Sequence, residues 1–189
     1  MDERKKLADE LADQIWFTRI SRIKAENRLI EKEHFVQFIN IYYSLFAIVC
    51  SIISYHYNDT KMGLFTIIIT ISLMVSILYL NGQKYLESAR DYRTNYTQLH
   101  RLEMELKDSS PDLMKIRNKY CELLNTSSNH TEYDYLKALS NASDEYKEKK
   151  GWKKKRLFYA LGMLWRLGLK IFFLLLPIFL LAACEAWAK

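Results

Sequence analysis

The sequence predicts an all-α membrane protein, in which a two-helix transmembrane hairpin carries long cytoplasmic helices and a third membrane segment follows near the C-terminus. Three observations predict it. Residues 35–55 and 63–80 contain no Asp, Glu, Lys or Arg, and each run is long enough to cross a hydrocarbon core that takes about 20 helical residues at roughly 1.5 Å apiece. The connection Tyr57-Asn58-Asp59-Thr60-Lys61-Met62 is too short for anything but an antiparallel hairpin. Five Gly and two Pro in 189 residues leave little turn chemistry for a β architecture, so long helices are the default.

Composition supports the same reading. Half of the residues are hydrophobic, yet the mean hydropathy is negative, so the apolar content is gathered in blocks. The formal charge of +6 argues less for nucleic acid than for a bilayer, because Lys and Arg concentrate beside the apolar runs. Cys50, Cys121 and Cys184 form no CxxC and are odd in number, which suits neither a disulfide framework nor a zinc site. The start, MDERKKLADELADQ, mixes both charge signs without an apolar core, so the first span is expected to be its own insertion signal.

Four segments follow in order. Residues 1–34 read as a charged cytoplasmic helix running straight into the first span, with Leu7, Leu11, Ile15, Ile20, Ile23 and Ile30 set among mixed charges. Arg19, Arg22, Lys24, Arg28 and Lys32 lie within about 20 residues of the membrane face, against Lys61 alone in the hairpin tip, which puts the N-terminus in the cytoplasm. Residues 35–82 are the hairpin, ended by Asn81-Gly82. Residues 83–150 are cytoplasmic helices, and Tyr85, Ala89, Tyr92, Tyr96, Leu99, Leu102 and Leu106 give the first of them, over 83–108, a seam for the N-terminal helix. Ser109-Ser110-Pro111-Asp112 predicts a restart with Ser at the N-cap and Pro in the first turn, for a second helix reaching about Asn125. Thr131-Glu132-Tyr133-Asp134 predicts a capping box opening a third helix to about Lys149.

Residues 151–189 hold a basic segment and the third apolar run. The uncharged part, residues 171–184, is only about 21 Å long as a helix. Its ten Ile, Leu and Phe residues are worth roughly −3 to −6 kcal/mol on an insertion scale, against about +2.5 to +3.5 for one deep charge. A span over residues 167–187 is therefore expected, with Arg166 and Lys170 at the cytoplasmic interface, Lys170 snorkelling, Glu185 and Trp187 at the far face, and Pro177 as a kink. The rival is an in-plane amphipathic helix over 152–170 with Lys155, Arg156, Arg166 and Lys170 on one side.

No phosphate-binding glycine loop, HExxH or GxSxG occurs, and the four histidines stand far apart, so no catalytic residue, metal ligand or cofactor is expected and an enzyme is not. What does recur is a stripe. Gln37, Asn40, Ser44, Ala47, Ser51 and Ser54 fall within about a 100° sector of the first span. Small residues of this kind let two membrane helices approach, and Ser72 and Ser76 of the second span offer a matching pair. Turned inward by several copies, the same stripe would line a water-filled path.

The N-terminal helix carries Trp16-Phe17-Thr18-Arg19-Ile20-Ser21-Arg22-Ile23-Lys24-Ala25-Glu26-Asn27-Arg28-Leu29, and the first span carries Ile41-Tyr42-Tyr43-Ser44. With the hairpin and the helix after it, this set resembles the SLATT group, the SMODS- and SLOG-associating two-transmembrane effector domains of prokaryotic conflict systems. In particular it resembles the variant with a C-terminal extension found beside reverse transcriptases. The resemblance runs through most of the chain and is strongest from Trp16 to about Leu106; the third apolar segment departs from a plain two-span pattern. It implies a homo-oligomeric effector in the inner membrane that opens pores and disables the infected cell once a partner, such as a reverse transcriptase or nucleotide-signal system encoded nearby, reports phage. The alternative is a non-conducting anchor or adaptor that recruits a cytoplasmic partner. Thr18, Arg22, Ala25 and Leu29 share one helix face, with Arg19 beside it. That face either docks on residues 83–108, or presents Arg19, Arg22 and Arg28 to a phosphate-bearing signal or nucleic acid, of which direct nucleic-acid binding is the less expected.

Overall fold

A computed structural model describes residues 2–108, 111–149 and 151–188, with side chains at all of these except 2, 145, 149 and 183–188. The chain is an all-α membrane protein, without a strand among the described residues. Seven helices follow in order: α1 (Asp2–Tyr57), α2 (Thr60–Asn81), α3 (Tyr85–Glu105), α4 (Leu113–Asn125), α5 (Glu132–Ser140), α6 (Asp144–Lys149) and α7 (Trp152–Ala188). Three of them, α1, α2 and α7, are long and apolar enough to cross a membrane.

α1 is one unbroken helix of 56 residues. Nothing in residues 2–57 can stop it, for no Gly or Pro occurs there, and the charged and apolar halves join without a break. Asn58 turns the chain with a positive φ of 53°. Asp59 then caps α2, its carboxylate accepting from the Lys61 and Met62 amides at 2.9 and 3.2 Å. At the other end Lys84 takes a left-handed φ of 49°, so α3 opens at Tyr85 rather than at residue 83.

Two junctions differ from expectation. The α4 N-cap is Asp112, which accepts from the Lys115 amide at 3.1 Å. A carboxylate takes the position because it both bonds the free amide and offsets the helix dipole. Pro111 consequently precedes the helix instead of opening it, while Ser109 and Ser110 lie outside the described residues. The capping box at Thr131 and Asp134 forms as the spacing predicts, but α5 stops at Ser140 and α6 starts anew at Asp144. Asn141 and Ser143 separate them; short polar side chains of this kind compete with the helix for backbone groups.

The chain divides into two compact units. The first comprises Met1–Glu31 and Tyr85–Gly162, the second Lys32–Lys84 and Met163–Lys189. In the first, the N-terminal half of α1 is the hub. Leu11 and Ile15 pack on Leu99 and Leu102 of α3 and on Ile116 and Tyr120 of α4. Ala25 and Leu29 pack on Ala89 and Tyr92, and Phe17 on Ala138 and Leu139 of α5 and on Ala142. Ion pairs Arg19–Glu103 and Arg93–Glu26 set the antiparallel register of α1 and α3. In the second unit, the most apolar stretches of α1, α2 and α7 are no more than 17% buried. Such exposure is costly in water and is what a bilayer asks of its spans.

Candidate functional site

Two constellations carry the expected functional residues, one in each unit. The membrane-embedded one lies between α1 and α2. Ser44, Ala47 and Ser51 of the stripe face Thr66 and Thr70 across an open groove of about 490 Å³, with Leu73 among its apolar lining. Ala47 is buried there and Thr66 nearly so. Ser72 and Ser76 are exposed and outside the groove, since six residues on from Thr66 and Thr70 the helix has turned about 240°.

The rest of the stripe is spread along α1. Gln37 is exposed and donates to the Glu33 carboxylate at 2.9 Å, and Asn40 is half-buried. Ser54 donates to the Asp59 carbonyl at 2.7 Å, and a Cβ added at Gly63 would stand 3.1 Å from its Oγ. Glycine is what lets the two spans meet closely beside the turn. The hydroxyls of Ser44, Thr66 and Thr70 donate to the Asn40, Met62 and Thr66 carbonyls at 2.7 to 2.9 Å, each four residues back in its own helix. A hydroxyl satisfied in this way adds little polarity to the surface around it.

The second constellation is the motif of α1 in the first unit. Ala25 is wholly buried and Leu29 nearly so, and Trp16 lies edge-on to Tyr146 at 5.9 Å between ring centres. The Thr18 and Tyr120 hydroxyls share a 2.8 Å hydrogen bond. Arg28 Nε donates to both oxygens of Asp134, at 2.8 and 3.1 Å, and Asp134 is itself 0% exposed. Arg19 Nε stands 2.9 Å from Glu103 Oε2, an ion pair by distance without hydrogen-bond alignment.

Arg22 is the unusual member, a guanidinium with no exposed surface and, among the described residues, no carboxylate partner. Its Nη1 donates to the Leu123 carbonyl at 3.1 Å, and Asn95 Nδ2 donates to the same oxygen at 2.8 Å. Leu123 sits in the last turn of α4, whose unpaired carbonyls and negative dipole end stand in for a counterion. Desolvation lowers the Arg22 pKa, partly opposed by Tyr120 and Tyr92. Among protein atoms, Arg22 Nε and Nη2, Asn95 Oδ1, Ser21 Oγ and His130 Nδ1 find no hydrogen-bond partner. All three motif arginines are thus committed inside the first unit.

Ala89 and Tyr92, which receive Ala25 and Leu29, belong to the seam read from the sequence, but the polar residues that receive the motif are not marked by any pattern there. Asp134 shows itself there only as a cap, and Asn95 interrupts the apolar seam of α3 where a core position would be expected. At the start of the third span, Lys170 Nζ lies 5.5 Å from the centre of the Phe35 ring, and Arg166 is half-buried and has a partner. The cation is therefore held at an aromatic face of α1 instead of simply reaching for water. Glu185 and Trp187 lie where side chains are not described. Among the described residues no group of His, Cys, Asp or Glu is placed to hold a metal ion.

No curated protein and no solved structure matches the chain. A family model does, over residues 4–183, and with that span the assignment rests on nearly every element described: the chain belongs to the SMODS and SLOG-associating 2TM effector domain family 5.

Proposed function

We propose that this effector domain forms pores in the inner membrane of a prokaryotic cell during phage infection, as a homo-oligomer whose first unit lies in the cytoplasm. The observation that carries the proposal is the groove between α1 and α2, in which Ser44, Ala47, Ser51, Thr66 and Thr70 meet on the two hairpin helices. Side chains this small give the hairpin a face on which backbones can approach closely, and oligomers of hairpins turn such faces toward one another or toward water. The orientation rests on Lys and Arg count, five within about 20 residues ahead of the first span against Lys61 in the tip. The trigger we assign to a partner acting on the first unit, a reverse transcriptase or a nucleotide-signal system encoded nearby.

A second reading has its own support. Because the Ser44, Thr66 and Thr70 hydroxyls are satisfied within their helices, the groove needs no water-filled path, and a non-conducting anchor or adaptor would be stable with the same residues. Cells carrying the chain and its genomic neighbours, challenged with phage in the presence of a membrane-impermeant dye, separate the two. Dye uptake that falls at least about tenfold with Ser44→Leu plus Ser51→Leu, at unchanged protein level, is expected for the pore. Protection without dye uptake assigns the adaptor role.

A further inference from the structure

α7 is the one apolar helix interrupted by a proline, at Pro177, and the interruption is not left open. A proline in a helix interior offers no N–H to the carbonyl four residues back, and its ring crowds that carbonyl. Here the carbonyl is that of Phe173. In lipid a carbonyl without a donor costs several kcal/mol, so another group has to reach it. The Tyr43 hydroxyl of α1 donates to Phe173 O at 2.8 Å, and the Tyr42 hydroxyl donates to the neighbouring Leu174 O at 3.2 Å. Pro177 is itself among the fully buried side chains of the chain, though much of α7 around it is exposed.

We infer that Tyr42 and Tyr43 form a hydroxyl clamp on the proline-opened turn of α7, which holds the third apolar helix to the first in a single register. The two tyrosines are consecutive, so on an ordinary helix their side chains diverge by about 100°. Both nevertheless reach carbonyls of one turn, with their rings edge to face at 5.7 Å. In a continuous helix the Phe173 carbonyl would already accept from the amide four residues on, whereas at Pro177 the Tyr43 hydroxyl is the donor that reaches it. The Leu174 carbonyl stands four residues before Ile178, which has an amide, so the Tyr42 hydroxyl adds to it through the second lone pair. A phenylalanine pair would fill the same space and leave the Phe173 carbonyl bare. The Lys170–Phe35 contact lies nearer the start of both helices, so α1 and α7 run in the same direction here. Within the membrane unit α7 is therefore clamped to α1, the helix that also carries the hairpin turn to α2.

The clamp is tested by a double-mutant cycle on the full chain in detergent, with thermal unfolding as the readout. Tyr43→Phe removes one oxygen and no volume. We expect it to lower the unfolding midpoint by about 2–4 °C in the natural sequence. In the Pro177→Ala background the substituted residue supplies the missing amide to Phe173, and Tyr43→Phe should move the midpoint by less than half as much. Equal shifts in both backgrounds, or none in either, would overturn the clamp. Should Pro177→Ala yield no folded protein, a carbonyl label of 13C and 18O placed at Phe173 alone decides by infrared absorption. Tyr43→Phe should then raise the labelled stretching frequency, and an unmoved band overturns the inference. Neither readout depends on whether the chain conducts ions.

Discussion

At the scale of single residues, the first unit turns on a charge that has no opposite. Arg22 is buried against the carboxyl end of α4, and His130 lies in the loop that follows it. Desolvation lowers the His130 pKa from its ordinary 6.5, and Arg22 lowers it further, with Asp134 and Glu132 opposing. A group whose folded pKa is lowered is held neutral by folding. Its contribution is whole above pH 6.5 and is lost as the pH falls from there through the lower folded value. The unfolding midpoint should therefore drop as the pH is lowered from 6.5, and His130→Gln should flatten that part of the profile. A profile unchanged by the substitution would mean that folding does not lower the imidazole pKa. Sequence alone shows that Thr18, Arg22, Ala25 and Leu29 share a face and that the face could dock. The surface it expects, residues 83–108, receives Ala25 and Leu29, but Thr18 and Arg22 reach α4, where Leu123 contributes a backbone carbonyl that no residue type announces.

At the scale of elements, periodicity serves well where a helix has one dry side and poorly where it has several. The seam of α3 is legible, since Ala89, Tyr92, Leu99 and Leu102 repeat at three, seven and three and are all buried. That α1 also receives α4 and α5 is not, because a hub helix is apolar or polar on each face according to its neighbour and the period blurs. The stripe of the first span is legible as a stripe, but the side of α2 it meets depends on how the hairpin crosses. That crossing is fixed by Gly63 against Ser54 and yields Thr66 and Thr70 as the facing pair. A groove built on small side chains tolerates little growth. Ala47→Leu should lower the stability of the membrane unit by about 1–3 kcal/mol through overpacking, whereas Ile52→Leu, 63% exposed on the same helix, should change it by less than about 0.5 kcal/mol. Thermal unfolding of the two variants in detergent, side by side, checks the difference.

At the scale of the whole molecule, fold class is the easiest property to read. Uncharged runs of this length have few physical alternatives to spanning lipid, and the most apolar stretches of the three helices that carry them are no more than 17% buried. Sidedness comes from charge count and has a direct check. Cys121 is free and exposed in the first unit, while Cys50 is free and buried in the second. With Cys184→Ser in place, a membrane-impermeant maleimide should label Cys121 in inverted inner-membrane vesicles and not in intact cells. Labelling from outside would invert the topology. The third span is the hardest part to read, for its uncharged stretch is short and its start is basic. What secures it lies far off in the chain, in a pair of tyrosines whose purpose is invisible until Pro177 is seen beside them.

That separation matters for how the protein is made. Tyr43 and the Phe173 carbonyl are 130 positions apart, so at roughly 5–20 residues per second the ribosome releases the first partner on the order of ten seconds before the second. Throughout that interval a nascent hairpin sits in lipid with two phenols that have not met their intended acceptors. A chain cut short before α7 would remain in that condition for good, free to bond to whatever carbonyl drifts past, including those of its siblings.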